Sequence, residues 1–160
     1  MRASSALSYV AFWILLGVIA YLGFDVFLSP NVAKPIVADA DGIVTIDRSH
    51  DQHFYVQGKI NGHPVDFMVD TGATLVSVSE ETARAIGLGN GIAARFETAA
   101  GHSLGQIVPQ ATVQVGGIRI DGIRVGIMPA GTKALLGQNF LNKLELSQDP
   151  RRMTLRTRRQ

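Results

Sequence analysis

From Gly42 onward the chain is cut into short apolar runs by glycine turns, and that punctuation restricts it to a fold of short strands. The runs are Ile43 to Ile46, Phe54 to Ile60, Val65 to Val69, Leu75 to Val78, Ile107 to Val115, Ile118 to Ile120 and Ile123 to Ile127. β-Branched residues recur in them, which suits a pleated, half-buried surface. Asn61-Gly62 joins two runs with a pair that favours a two-residue hairpin, and Gly116-Gly117 and Asp121-Gly122 read as repeats of the device. Only two stretches look helical. Ser79 to Ile86 has Ser79, Glu81 and Thr82 in its first turn and Gly87 after its end; the other runs from Gln138 to Leu144. The expected domain is therefore all-β and mostly antiparallel, with one or two short helices. A faint internal echo sets hairpin, strand, Asp70-Thr71-Gly72 and short helix beside hairpin, strand, Leu135-Leu136-Gly137 and short helix.

Ahead of the strands lie 22 residues without a charge, Ala3 to Phe24. As a helix they would measure about 33 Å, enough to cross a hydrocarbon core of roughly 30 Å. Tyr9, Trp13 and Tyr21 lie toward the ends, where amphipathic rings suit an interface. A cleaved signal peptide would need a shorter apolar core and a nearby small-x-small site, and Ala38-Asp39-Ala40 is too far downstream. Residues 1–28 are thus expected to be a transmembrane anchor on the lipid bilayer, residues 29–46 a tether, 47–157 the folded domain and 158–160 a basic tail end. Arg2 before the span and Asp25, Asp39 and Asp41 after it place the carboxy-terminal domain outside the cytoplasm.

Charge and composition remove several function classes. Five of the fifteen basic residues fall in the last ten, leaving ten against thirteen acidic ones elsewhere, so no basic face suited to nucleic acid is expected. The chain has no cysteine, which excludes disulfides, thiolate metal sites and thiol nucleophiles. His50, His53 and His63 lack the setting of a metal site and read as exposed histidines, so neither metal nor cofactor is expected. Ser77, Ser79 and Ser103 stand in no nucleophile elbow, and no phosphate-binding loop with its lysine occurs.

One carboxylate stands apart. A carboxylate acting as a general base for water needs a fixed orientation, hydrogen-bond donors and little competing bulk. The apolar strand Phe67-Met68-Val69 delivers Asp70 inward; Thr71 carries a hydroxyl, and Gly72 permits a tight turn with its amide near the carboxylate. Ala73 and Thr74 lead into the next apolar run. A turn aspartate that merely accepts backbone bonds is the other reading of the tripeptide alone.

Asp70-Thr71-Gly72-Ala73-Thr74 between apolar strands, followed by Ala134-Leu135-Leu136-Gly137-Gln138-Asn139-Phe140-Leu141, resembles the retropepsin-like aspartic peptidases, especially a bacterial, membrane-tethered branch. The likeness covers about residues 47 to 157. It implies a single-lobe, closed barrel-like acid-protease domain, here preceded by one transmembrane helix. It further implies that Asp70 is catalytic, that Thr71 bonds across to a partner loop, that Gly72 helps line the cleft and that Leu135, Leu136 and Gly137 buttress the catalytic loop. Gln138 departs from the family pattern, in which an arginine commonly follows the glycine.

Two carboxyl groups held close together share one proton, and that chemistry needs two such loops. A chain with room for one lobe meets the requirement as a homodimer that pairs Asp70 with its copy. The expected activity is endoproteolysis of a polypeptide substrate at a bacterial inner membrane, with the domain periplasmic. The competing reading is a non-catalytic peptide-binding or dimerisation module on the same fold. The segment from Arg95 to Gly105, with Ala99, Ala100, Gly101 and His102 at its middle, is the candidate flap; an ordinary surface loop is its alternative. Met153-Thr154-Leu155 resembles a final strand, which in this family commonly contributes to the dimer interface.

Overall fold

The computed structural model describes residues 3–28, 36–39, 42–98 and 101–158. The chain divides into two compact units, Met1–Asn31 and Val32–Gln160.

The first unit contains α1 (Ala3–Leu28), whose side chains from Tyr9 to Tyr21 are exposed on every face. Such a pattern leaves no polar side to separate from an apolar one. Among the described residues no helix is long and apolar enough to cross a membrane. The expected transmembrane span is therefore not supported by the described residues.

The second unit is built on two sheets. One has four strands in the order β1 (Ile36–Asp39), β2 (Ile43–Asp47), β11 (Arg152–Thr157) and β10 (Leu144–Gln148), all antiparallel. The other has seven: β3 (Tyr55–Ile60), β4 (His63–Val69), β9 (Leu135–Leu136), β5 (Val76–Ser79), β8 (Ile118–Met128), β7 (Gly101–Val115) and β6 (Ile92–Thr98). The end of β7 also pairs with β3, from Gly58 opposite Val115 to Ile60 opposite Val113, and closes the seven-stranded sheet into a barrel. Two pairings are parallel, β4 with β9 and β5 with β8. One continuous core joins both sheets, from Val44, Ile46 and Leu155 to Phe67, Val125 and Phe140.

Local chemistry accounts for much of this. Asn61 and Gly62 both have positive φ, 49° and 88°, the geometry of the hairpin turn that joins β3 to β4. In α2 (Glu80–Ala85) the Ser79 hydroxyl accepts from the Thr82 amide at 3.2 Å, and Gly87, at φ 62°, follows the end.

Four sequence expectations change. Residues 43–46, assigned to the tether, form most of β2 and bury Val44 and Ile46, so they belong to the folded unit. Asp121-Gly122 makes no hairpin: β8 runs through it, and Gly122, at φ 72°, lies opposite register shifts of β7 between Val108 and Val113. α3 stops at Leu141 (Gln138–Leu141), because Leu144 already begins β10. The echo is also offset. Parallel pairing relates β4, the 70–75 loop, β5 and α2 to β8, the 129–134 loop, β9 and α3, so Leu135-Leu136-Gly137 corresponds to the end of β5 and not to Asp70-Thr71-Gly72.

Gly137 sits where the two halves cross. A Cβ built there would lie 2.2 Å from the Leu75 carbonyl oxygen and 2.8 Å from that of Ala73, both backbone atoms without a rotamer to change. Gly137→Ala is expected to destabilise the domain by at least about 2 kcal/mol, read as a lowered urea midpoint at unchanged m-value.

Candidate active site

Asp70 follows the last residue of β4, where the chain leaves the barrel centre. Val69 pairs with Leu136, and the Asp70 amide donates to the Leu136 carbonyl at 3.2 Å. The turn is then closed from both sides: the Gly72 amide donates to Asp70 Oδ1 at 2.8 Å, and the Ala73 amide to the Asp70 carbonyl at 3.3 Å. One carboxylate oxygen is thus held by the backbone, while Thr71, Gly72 and Thr74 face solvent and Asp70 is half-buried.

The segment after Gly137 binds the same loop along its length. The Gln138 and Asn139 amides donate to the Ala73 and Thr74 carbonyls at 2.8 and 3.1 Å. The Gln138 side chain donates to the Thr71 carbonyl at 2.8 Å, a neutral contact at the position where the family pattern has an arginine. Asn139 reaches two strands: its Oδ1 accepts from the Val76 amide at 2.8 Å, and its Nδ2 donates to the Arg124 carbonyl at 2.7 Å. Sequence alone assigns Asn139 no role beyond its place in the motif; the available signal was a polar residue two positions after Gly137. Leu135 and Leu136 lie between β4 and β5, with Leu136 fully buried.

A cleft of about 400 Å³ opens beside this loop. Gly72, Ala73, Thr74 and Leu75 form one wall, the β6–β7 hairpin with Phe96 and Ile107 another, and Arg124, Met128 and Leu135 the rest. The hairpin pairs Ile92 with Ile107 through Thr98 with Gly101, so it extends beyond the expected Arg95-to-Gly105 segment at its base. Gly101 has φ 109°, and exposed His102 is opposite Glu97; Ala99 and Ala100 lie outside the described residues.

A second polar cluster braces the strand beside Asp70. Tyr55 on β3 donates to Asp51 Oδ2 at 2.7 Å and receives a bond from Lys133 Nζ at 3.3 Å, tying the 49–53 turn to the loop before β9. The Tyr55 hydroxyl is the chief cause that holds the Asp51 carboxyl below its usual range, and burial is the chief cause that pushes the Tyr55 phenol up. His53 stays within this cluster, its Nδ1 at 2.8 Å from the Asp51 carbonyl. Among the described residues no group of three potential metal ligands converges. A second, open groove lined by Arg48, His50, Arg151 and Arg152 does not include the Asp70 loop.

Three comparisons bear on this geometry. A protein family described as "gag-polyprotein putative aspartyl protease" matches residues 56–143. The crystal structure of a retropepsin-like aspartic protease from Rickettsia conorii is similar, with a TM-score of 0.64 and 25% identity over 72% of this chain and 91% of that one. An uncharacterized protein of Rickettsia prowazekii (strain Madrid E) is 41% identical over 46 residues, 29% of this chain. The chain spans about a fifth of the length of that curated relative, 20%.

A group with a depressed folded-state pKa stabilises fully above its unfolded value, about 3.9 for aspartate, and loses that contribution as pH falls through the folded value. Tyr55→Phe is therefore expected to cost about 1 kcal/mol at pH 7. Urea unfolding should show that deficit shrinking as pH is lowered toward 3, because wild type loses the Asp51 contribution that the variant already lacks.

Proposed function

The chain belongs to the retropepsin-like aspartic peptidases, and from that membership we propose that it is an aspartic endopeptidase whose active site is completed by Asp70 of a second copy. The observation that carries the proposal is the setting of Asp70: one oxygen fixed by the Gly72 amide at 2.8 Å, at the end of a strand registered against Leu136 and beside a cleft.

Two such carboxyls facing each other cannot both ionise cheaply, so the pair holds one proton. The ionised member takes a proton from water as its oxygen attacks the peptide carbonyl, while the protonated member gives its proton to the carbonyl oxygen. Collapse of the tetrahedral intermediate breaks the C–N bond: the protonated member gives its proton to the leaving amine while a hydroxyl of the intermediate returns a proton to the other carboxylate, so the dyad again holds one. Thr71 and Gly72 are placed to meet the partner loop and the substrate backbone. The β6–β7 hairpin is the flap that excludes water on closure.

The dimer contact falls on β10. β11 already has β2 on one side and β10 on the other, so the Met153–Leu155 segment has no free edge for a second chain. β10 is one of the two terminal strands of its sheet, β1 being the other, and leaves Leu146 39% exposed. Antiparallel pairing of β10 with its copy would satisfy both free edges around one twofold axis. We further propose that α1 anchors the enzyme in a bacterial inner membrane with the domain periplasmic. The 22 uncharged residues and the exposure of residues 9–21 on all faces support that reading. Confinement to a plane would raise the effective concentration of the two halves.

Asp70→Asn is expected to abolish cleavage of a peptide library while leaving folding and self-association unchanged; retained turnover would refute the assignment. Because the chain has no cysteine, Leu146→Cys should give a disulfide-linked dimer under mild oxidation, whereas Leu104→Cys on the hairpin should not. Carbonate extraction of membranes should leave the full chain in the pellet, and release of the chain would remove the anchor.

A further inference from the structure

The cleft beside Asp70 is not uniformly apolar. Val125 and Ile127 of β8 turn into the core, so Arg124 and Met128, on the alternate face with Gly126 between them, turn toward the cleft. A Cβ at Gly126 would lie 3.1 Å from the Phe96 ring and 3.5 Å from the Ser77 Cβ, so the absence of a side chain there lets Phe96 lie across the sheet as an apolar wall. Arg124 stands at the end of that wall. Its backbone is fixed by the Asn139 side chain at 2.7 Å, and it forms no ion pair among the described residues, in contrast to Arg119, Arg152 and Arg156, each matched to a carboxylate.

Two other charges line the cleft, Arg95 and Glu97. They stand two residues apart on the face of β6 opposite Phe96, and neither forms an ion pair among the described residues. Of the two guanidiniums, that of Arg124 is the one on β8, the strand whose Gly126 lies under the Phe96 ring. An apolar wall ending in one unmatched guanidinium suits a side chain with a short apolar stem and a terminal carboxylate, because an arginine can hold such a group through two parallel hydrogen bonds.

We infer that the cleft selects extended peptides carrying an acidic side chain, glutamate above all, near the scissile bond, and that Arg124 is the specificity-determining residue. The inference rests on the peptidase reading, but binding tests it separately. Peptides that differ only in Glu, Gln or Lys at each position around the cleavage site are compared on the full chain. Wild type should favour Glu over Gln by about tenfold in kcat/KM at one position, and added salt should shrink that ratio. Arg124→Lys should keep part of the preference, Arg124→Gln should lose it, and Arg124→Glu should turn it toward Lys. The same order should appear as affinities on Asp70→Asn, where no cleavage is needed. Equal affinity of Asp70→Asn for Glu and Gln peptides, or a Glu preference that survives Arg124→Gln, overturns the inference even if wild type cleaves peptides. Selective binding of Glu peptides by Asp70→Asn without any cleavage by wild type would instead overturn the peptidase reading alone.

Discussion

The approach of Gly137 to the 70–75 loop, close enough that a Cβ would meet the Leu75 carbonyl oxygen at 2.2 Å, is the contact on which the rest of the domain depends. It brings the segment after β9 against the backbone of the loop. Gln138 and Asn139 can then donate to Ala73, Thr74 and Thr71 in succession. The parallel pairs β4–β9 and β5–β8 carry this crossing into the barrel, and closure of β7 on β3 holds it from the outside. A carboxylate on such a support keeps its orientation without stabilisation from substrate.

The loop is tied by backbone hydrogen bonds at Asp70 and largely exposed in the residues that follow. Asp70 is tied through the Gly72 amide and the Leu136 carbonyl, whereas Thr71, Gly72 and Thr74 face outward. That division suits the proposed half-site, in which each chain fixes its own carboxylate. Gln138 fits the same logic. Its neutral amide caps the Thr71 carbonyl within one chain, so at this position loop support does not require a charged partner.

In the cleft, strand alternation divides β8 between core and cleft wall. One face of β8 supplies Val125 and Ile127 to the core, and the other turns Arg124 and Met128 toward the cleft with Gly126 beneath the Phe96 ring between them. A glycine in the middle makes room for a ring from β6, two strands away, and an arginine at the end supplies charge. The same period of two therefore builds the barrel and shapes the proposed binding surface.

Much of this was legible from the residues alone, because the signals were local. The Asn61-Gly62 hairpin, the Ser79 cap, the β-rich pattern and the Asp70-Thr71-Gly72 turn each depend on backbone preferences within a few positions. The sequence by itself therefore determined the class of fold and the residue that stands out as the candidate carboxylate. Only the tertiary structure decided the long-range relations. It placed 43–46 in the sheet, made 118–128 one strand despite Asp121-Gly122, matched β9 with β5 as equivalent strands, and gave Asn139 its partners Val76 and Arg124, which lie 63 and 15 residues away along the chain. No local preference encodes such pairings, because they follow from which strands close the barrel together.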